Sequence, residues 1–291
     1  MRRALATVAM LVVAGCAGPA TTPATEPGAA PAPAGNVASP MLADLNRVDF
    51  PLDHWTTTPD EYIELDYASK LAAAACAKRY GFDWDAGARL KLLDWKDRTN
   101  RLGLVDEDAA RLAGYHEDPR KAHHTSDRDN GAEITEAQSR ILMGPGPDLP
   151  EGGCFGEGRR EIGWDLDDDF WFQELQAEAT ERAFADRRTT KLHQRWSACM
   201  AESGHRYSKP EDAVADRRWP DFDTAEASKA EINAAVADVR CKKRVKYVVE
   251  LSATLTGFQQ EIVEQNAERL RAARQRTQDA LRKAAAVLGG R

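Results

Sequence analysis

Catalytic signatures are what this 291-residue sequence lacks first. It has no G-x-S-x-G elbow to present a serine nucleophile and no H-E-x-x-H helix to hold zinc. It has neither a Walker loop nor a G-x-G-x-x-G turn to cradle phosphates. Strand-like alternation never extends beyond a few residues, which excludes a sheet-based fold. The first apolar run, Ala4 to Ala14, falls well short of the ~20 residues of a membrane-spanning helix. There is no basic surplus either: 40 Lys and Arg face 47 Asp and Glu, a formal charge of −7. Nucleic acid would call for a basic face, so none is expected as a partner.

Cysteine is scarce, with five in the chain, and the first has an informative setting. Met1-Arg2-Arg3 opens the sequence, the apolar run follows, and Val13-Ala14-Gly15-Cys16 closes it. A basic start, a short apolar core and small residues at a processing point make a secretory signal. A cysteine directly after the small residues is what a bacterial lipoprotein signal requires: its thiol takes a diacylglycerol and cleavage leaves it as the new N-terminus. Residues 1–15 therefore read as signal peptide, with Cys16 as the lipidated residue. Ordinary cleavage near Ala14 or Ala17, releasing an unanchored chain, is the alternative. With Arg2 and Arg3 gone the charge becomes −9, so anchoring rests on lipid, each buried CH₂ contributing ~0.8 kcal/mol. The expected location is the extracytoplasmic side of the cell membrane.

From Ala17 to Pro40 the chain is Ala, Pro, Thr and Gly with almost no charge, and it holds six of the 14 prolines. Such a segment cannot bury enough apolar surface to offset ordering, so residues 16–45 read as a disordered tether. The helical domain is expected over 46–291. Thr58-Pro59-Asp60-Glu61 is a helix start, with Thr58 as N-cap and Glu61 closing a capping box. That helix runs through Cys76 and stops at Gly81. Short helices are expected over Asp106 to Leu112 and Ile134 to Met143. A long one begins at Asp167-Asp168-Asp169 and ends at Gly204, and the longest runs from Thr224 onward. Its arginine-rich terminal turns are expected to project from the core or fray.

Four cysteines remain for the fold, Cys76, Cys154, Cys199 and Cys241, and an even set in an exported chain reads as two disulfides. Spacing alone leaves three pairings open. A duplicated pattern favours one of them. Cys76 and Cys199 are each followed by a glycine five residues later, Gly81 and Gly204, and then by an aromatic, Trp84 and Tyr207. Cys154 precedes Arg159-Arg160, and Cys241 precedes Lys242-Lys243-Arg244. Two related halves, 46–165 and 166–291, would each carry one staple, Cys76–Cys154 and Cys199–Cys241. Chance similarity between two helix ends is the alternative reading.

Cys16 and its tether, the two C-x-x-x-x-G helix ends, and Gly153-Cys154 with Glu157 carry a resemblance. So do Leu102-Gly103-Leu104, Gly114-Tyr115-His116 and Ala237-Asp238-Val239-Arg240-Cys241. Together they resemble secreted lipoproteins of high-GC actinomycetes. The resemblance implies place and fold and brings no activity with it.

Asp165, Asp167 and Asp169 fit the first ligands of a calcium loop, but Phe170 stands where glycine is needed and Gln176 where a glutamate belongs. A helix-start acidic cluster is the better account. His116, His123 and His124 share a polar stretch with Glu117, Asp118, Asp127 and Asp129, without the spacing that converges metal ligands. No metal and no cofactor are expected. Trp55, Trp84, Trp95, Trp164, Trp171, Trp196 and Trp219 could line a sugar or peptide groove, although core packing is the more ordinary use. Arg269, Arg271, Arg274 and Arg276 could meet an anionic wall polymer, with a solvated helix face as the default. The expectation is an all-α, disulfide-stapled, non-enzymatic binding or interaction module of the cell envelope, with an envelope protein or wall polymer as partner. The alternative is an envelope hydrolase using a carboxylate pair.

Overall fold

Thr58 begins helix α1, Pro59–Arg79, as the capping signature indicates: its side chain accepts from the Glu61 N–H while Glu61 accepts from the Thr58 N–H. The computed structural model describes residues 48–89, 102–117, 134–144, 146, 148–220 and 226–289. Residues 1–47, which hold the expected signal segment, Cys16 and the expected tether, lie outside these, as do Trp95, Asp118, His123, His124, Asp127 and Asp129. The described residues are all-helical, with no strand among them.

After α1 come α2 (Glu107–Ala113), α3 (Glu136–Met143), α4 (Gly153–Ile162), α5 (Leu166–Ala185) and α6 (Arg187–Glu202). Then follow α7 (Pro210–Val214), α8 (Lys229–Arg244), α9 (Tyr247–Gln265) and α10 (Ala267–Gly289). The expected long helix from Asp167 to Gly204 is two helices. Asp186, in extended conformation, ends α5 and caps α6 by accepting from the Arg188 N–H. The element from Thr224 onward is three. Lys246 takes the left-handed conformation, φ 56°, between α8 and α9. Asn266 ends α9, its amide donating to the Ile262 carbonyl. Helix α4 had no sequence signal, because three glycines in ten residues oppose helix formation. Gly158 shows their use: a Cβ there would fall on the Ser69 carbonyl oxygen, so its absence lets α4 lie against α1.

The main core joins Phe50 and Leu52 to Trp171 and Leu175 of α5, Trp196 and Met200 of α6, and Leu251, Leu255 and Ile262 of α9. A second cluster packs Ala280 and Ala284 of α10 on Leu65, Ile162 and Trp164. The terminal helix thus lies along α1 and α4 rather than projecting or fraying. Its small buried alanines permit that close approach. Because α10 packs on α1 and the Pro51–His54 turn packs on α9, residues before and after position 166 share their cores.

Both staples are formed as the duplicated pattern favours: Cys76–Cys154 and Cys199–Cys241, with Cα separations of 5.5 and 5.6 Å. The two helix ends also share hydrogen bonding. Phe82 N–H donates to Ala77 C=O at 3.1 Å, and His205 N–H donates to Met200 C=O at 2.9 Å, each spanning five residues. That is the helix-ending pattern a left-handed glycine allows. The partner cysteines differ, with Cys154 at the start of α4 and Cys241 in the last turn of α8.

Candidate functional site

Helix α8 buries three charged side chains, Glu231, Asp238 and Lys242. Glu231 accepts from the Tyr115 N–H at 2.9 Å and lies 3.4 Å from His116 Nε2. Lys242 donates to Asp238 at 3.0 Å and to the Leu104 carbonyl at 2.9 Å. Asp238 also accepts from the Trp196 indole at 2.9 Å. The two ends of the segment around α2 are thereby fastened to one helix, with Ala110, Ala235 and Val239 packed between them. Gly103 and Gly114, φ 70° and 61°, form the bends, and a Cβ on Gly114 would stand 2.6 Å from Glu231. Leu102-Gly103-Leu104, Gly114-Tyr115-His116 and Ala237 to Cys241 therefore meet in space. They meet as a structural clasp, closed to a ligand.

Carboxylate pairing centres on Asp168 and Asp169. Asp165 caps α5 through the Asp167 N–H, as the acidic cluster suggested. Asp168 is held by Arg276 at 2.6 Å, and Asp169 accepts from Thr57 and from the Trp164 indole, both at 3.2 Å. Burial pushes the Asp169 carboxyl above its ordinary range, against the pull of those two bonds. The void beside the pair, bounded by Trp55, Trp171 and Thr277, measures about 10 Å³, the space of one water. No sugar ring enters there.

Among the described residues no group of three or more His, Cys, Asp or Glu side chains could hold a metal ion. Trp164, Trp171 and Trp196 are buried. The arginines of α10 are largely engaged with the protein itself: Arg274 pairs with Glu61, Arg276 with Asp168, and Arg269 lies 3.8 Å above the Trp171 ring. Burial raises the Glu61 carboxyl, but Arg274 and the Thr58 N–H together hold it below its usual value.

What is open is a groove of about 680 Å³ along α5, where α7 and α9 meet it. Gln173, Gln176, Ala177, Thr180, Glu181 and Phe184 line it from α5, Glu211 from α7 and Gln259 from α9. The groove follows from the α5 sequence. Leu175, Ala179 and Ala183 turn one stripe into the core, and the adjoining stripe of the same helix lines the groove. Gln259 is buried and fixed, its carbonyl accepting from the Leu52 N–H at 3.1 Å. Behind Phe184 stands His193, stacked on Tyr247 and 2.9 Å from its hydroxyl. No sequence motif marked these residues as a site, and Gln176 entered only as the residue that fails the calcium-loop pattern. The usable signal was the amide, hydroxyl and aromatic stripe at helical spacing, Gln173, Ala177, Thr180 and Phe184.

Burial lowers the His193 pKa below its ordinary value, with the nearby Glu211 opposing that shift. A histidine depressed in the folded state contributes stability that is complete above its unfolded pKa and lost as pH falls toward the folded value. Urea midpoints should therefore drop between pH 7.5 and pH 5.5, and His193→Gln should flatten that part of the profile. An unchanged slope in the variant would assign the pH dependence to other groups.

No helix among the described residues is long and apolar enough to cross a membrane. No protein-family model, curated protein or solved structure matches this chain.

Proposed function

We propose that this protein is a lipid-anchored binding module on the extracytoplasmic side of the cell membrane, and that it engages a cell-envelope partner through the α5–α7–α9 groove. The observation that carries this reading is the groove itself: wide, open, and lined by amide, hydroxyl and carboxylate groups around one aromatic ring. A few polar groups around an apolar floor are how proteins orient a ligand. The Val13-Ala14-Gly15-Cys16 motif supports the anchor. Two disulfides in so small a cysteine set support an oxidising compartment.

A photo-crosslinking residue at Ala177, exposed in the groove, is compared in intact cells with one at Ala285, exposed on α10. The expected result is a discrete crosslinked species from position 177 alone, diminished when Cys16→Ala releases the protein from the membrane fraction. Equal crosslinking from both positions, or none from 177, would remove the groove from the account. A Cys16→Ala protein that stayed in the membrane fraction would remove the lipid.

A further inference from the structure

The charges around the groove are uneven in a way that specifies a ligand. Glu178 and Glu261 are both satisfied by Arg182, and Glu250 is satisfied by Arg195. Glu181 and Glu211, which line the groove from opposite helices, make no ion pair with any described residue. Both are exposed, so they are solvated in the free protein and available to a partner. No lysine or arginine lines the groove to neutralise them. On α5, to either side of Glu181 along the helix, Ala177 and the half-buried Phe184 offer apolar surface and a ring face. Gln173, Gln176 and Thr180 add donors and acceptors along one side.

From this charge complementarity we infer that the groove takes a peptide segment through its cationic side chains, whose ammonium groups are drawn to the Glu181 and Glu211 carboxylates. The aliphatic stem of such a side chain lies over Ala177 and Phe184, keeping its charged head in water near the carboxylates. A ring face within reach of the cation adds attraction. The amides of Gln173 and Gln176 and the Thr180 hydroxyl are suited to the peptide backbone, which presents both N–H and C=O groups. An anionic polymer is disfavoured here, since like charges brought together across an interface cost binding. This inference rests on reading the groove as the binding face.

The test uses the full chain, purified in detergent with both disulfides intact, and the peptide Ala-Lys-Ala-Lys-Ala, acetylated and amidated at its ends. A second version carries both lysine ammonium groups acetylated. Titrations followed by amide NMR at low salt should place the shifts on the residues of the groove. Acetylating the lysines should weaken binding about tenfold, and Glu181→Gln and Glu211→Gln should each weaken it about fivefold, with added salt acting in the same direction. Both substitutions are isosteric and exposed, so neither threatens the fold; unchanged far-ultraviolet circular dichroism and urea midpoints verify this. Equal binding of the two peptides would overturn the cationic assignment, as would a double variant that binds like the parent. If peptide binding is absent while the Ala177 crosslink persists, the ligand chemistry is wrong and the groove reading stands. If both are absent, the groove reading fails with it.

Discussion

Replacing Asp238 with alanine should cost about 3–5 kcal/mol of folding stability, because Lys242 would remain as a buried, unpaired ammonium. Lys242 and Asp238 are 1 % and 0 % exposed, and the α8 backbone holds both in place. Burial raises the Asp238 carboxyl above its ordinary value, against the downward pull of Lys242 and Trp196. A carboxyl raised in the folded state gives stability that is full below its unfolded pKa and lost as pH rises through the folded one. Desolvation of two buried charges offsets the attraction between them, and the pair fastens the start of the α2 segment through the Leu104 carbonyl. The double replacement Asp238→Leu with Lys242→Met should lose less than Asp238→Ala. Its cost should be about 1–3 kcal/mol, chiefly from the Trp196 indole N–H left without an acceptor. Urea unfolding of the three proteins at pH 7 makes the comparison. A double variant weaker than the single one would show that the pair itself stabilises the fold.

Loss of the Cys76–Cys154 staple should have an effect of similar size. Its cysteines are 78 residues apart and those of Cys199–Cys241 are 42 apart, which in the chain-entropy picture corresponds to about 4.5 and about 4 kcal/mol. The surroundings widen the difference. Cys199 and Cys241 sit in the main core, whereas Cys76 and Cys154 anchor a small cluster of Ala73, Ala77 and Leu142. Trp84 covers that corner edge-on to Phe155, with ring centres 5.1 Å apart. Cys76→Ala with Cys154→Ala should therefore lower the urea midpoint more than Cys199→Ala with Cys241→Ala. The reverse order would mean that the α1–α4 packing around Gly158 suffices to hold the corner.

Two helix starts were legible because their capping hydrogen bonds are local. Thr58 with Glu61, and Asp165 with the Asp167 N–H, need no information from elsewhere in the chain. The breaks within long periodic stretches were less so. The apolar stripe continues across Asp186, Lys246 and Asn266, and each reorients the chain without interrupting the pattern. Helix α4 was hidden for a different reason: its glycines lower local propensity, and contact with α1 overrides that preference. The α10 arginines suggested a solvated or polymer-facing tail, yet Glu61, Asp168 and Trp171, all far away in sequence, engage three of them. The groove was the least legible feature. It takes residues from three helices that no local sequence pattern brings together.

The intact mass of the mature protein, extracted from membranes and alkylated before and after reduction, tests the account most directly. The expected mass is that of a chain beginning at Cys16 and carrying a diacylglyceryl group. No alkylation is expected before reduction, and four alkylated thiols after it. An unlipidated chain, or a peptide map joining Cys16 to any of Cys76, Cys154, Cys199 or Cys241, would contradict both the anchor and the cysteine parity on which the staples rest.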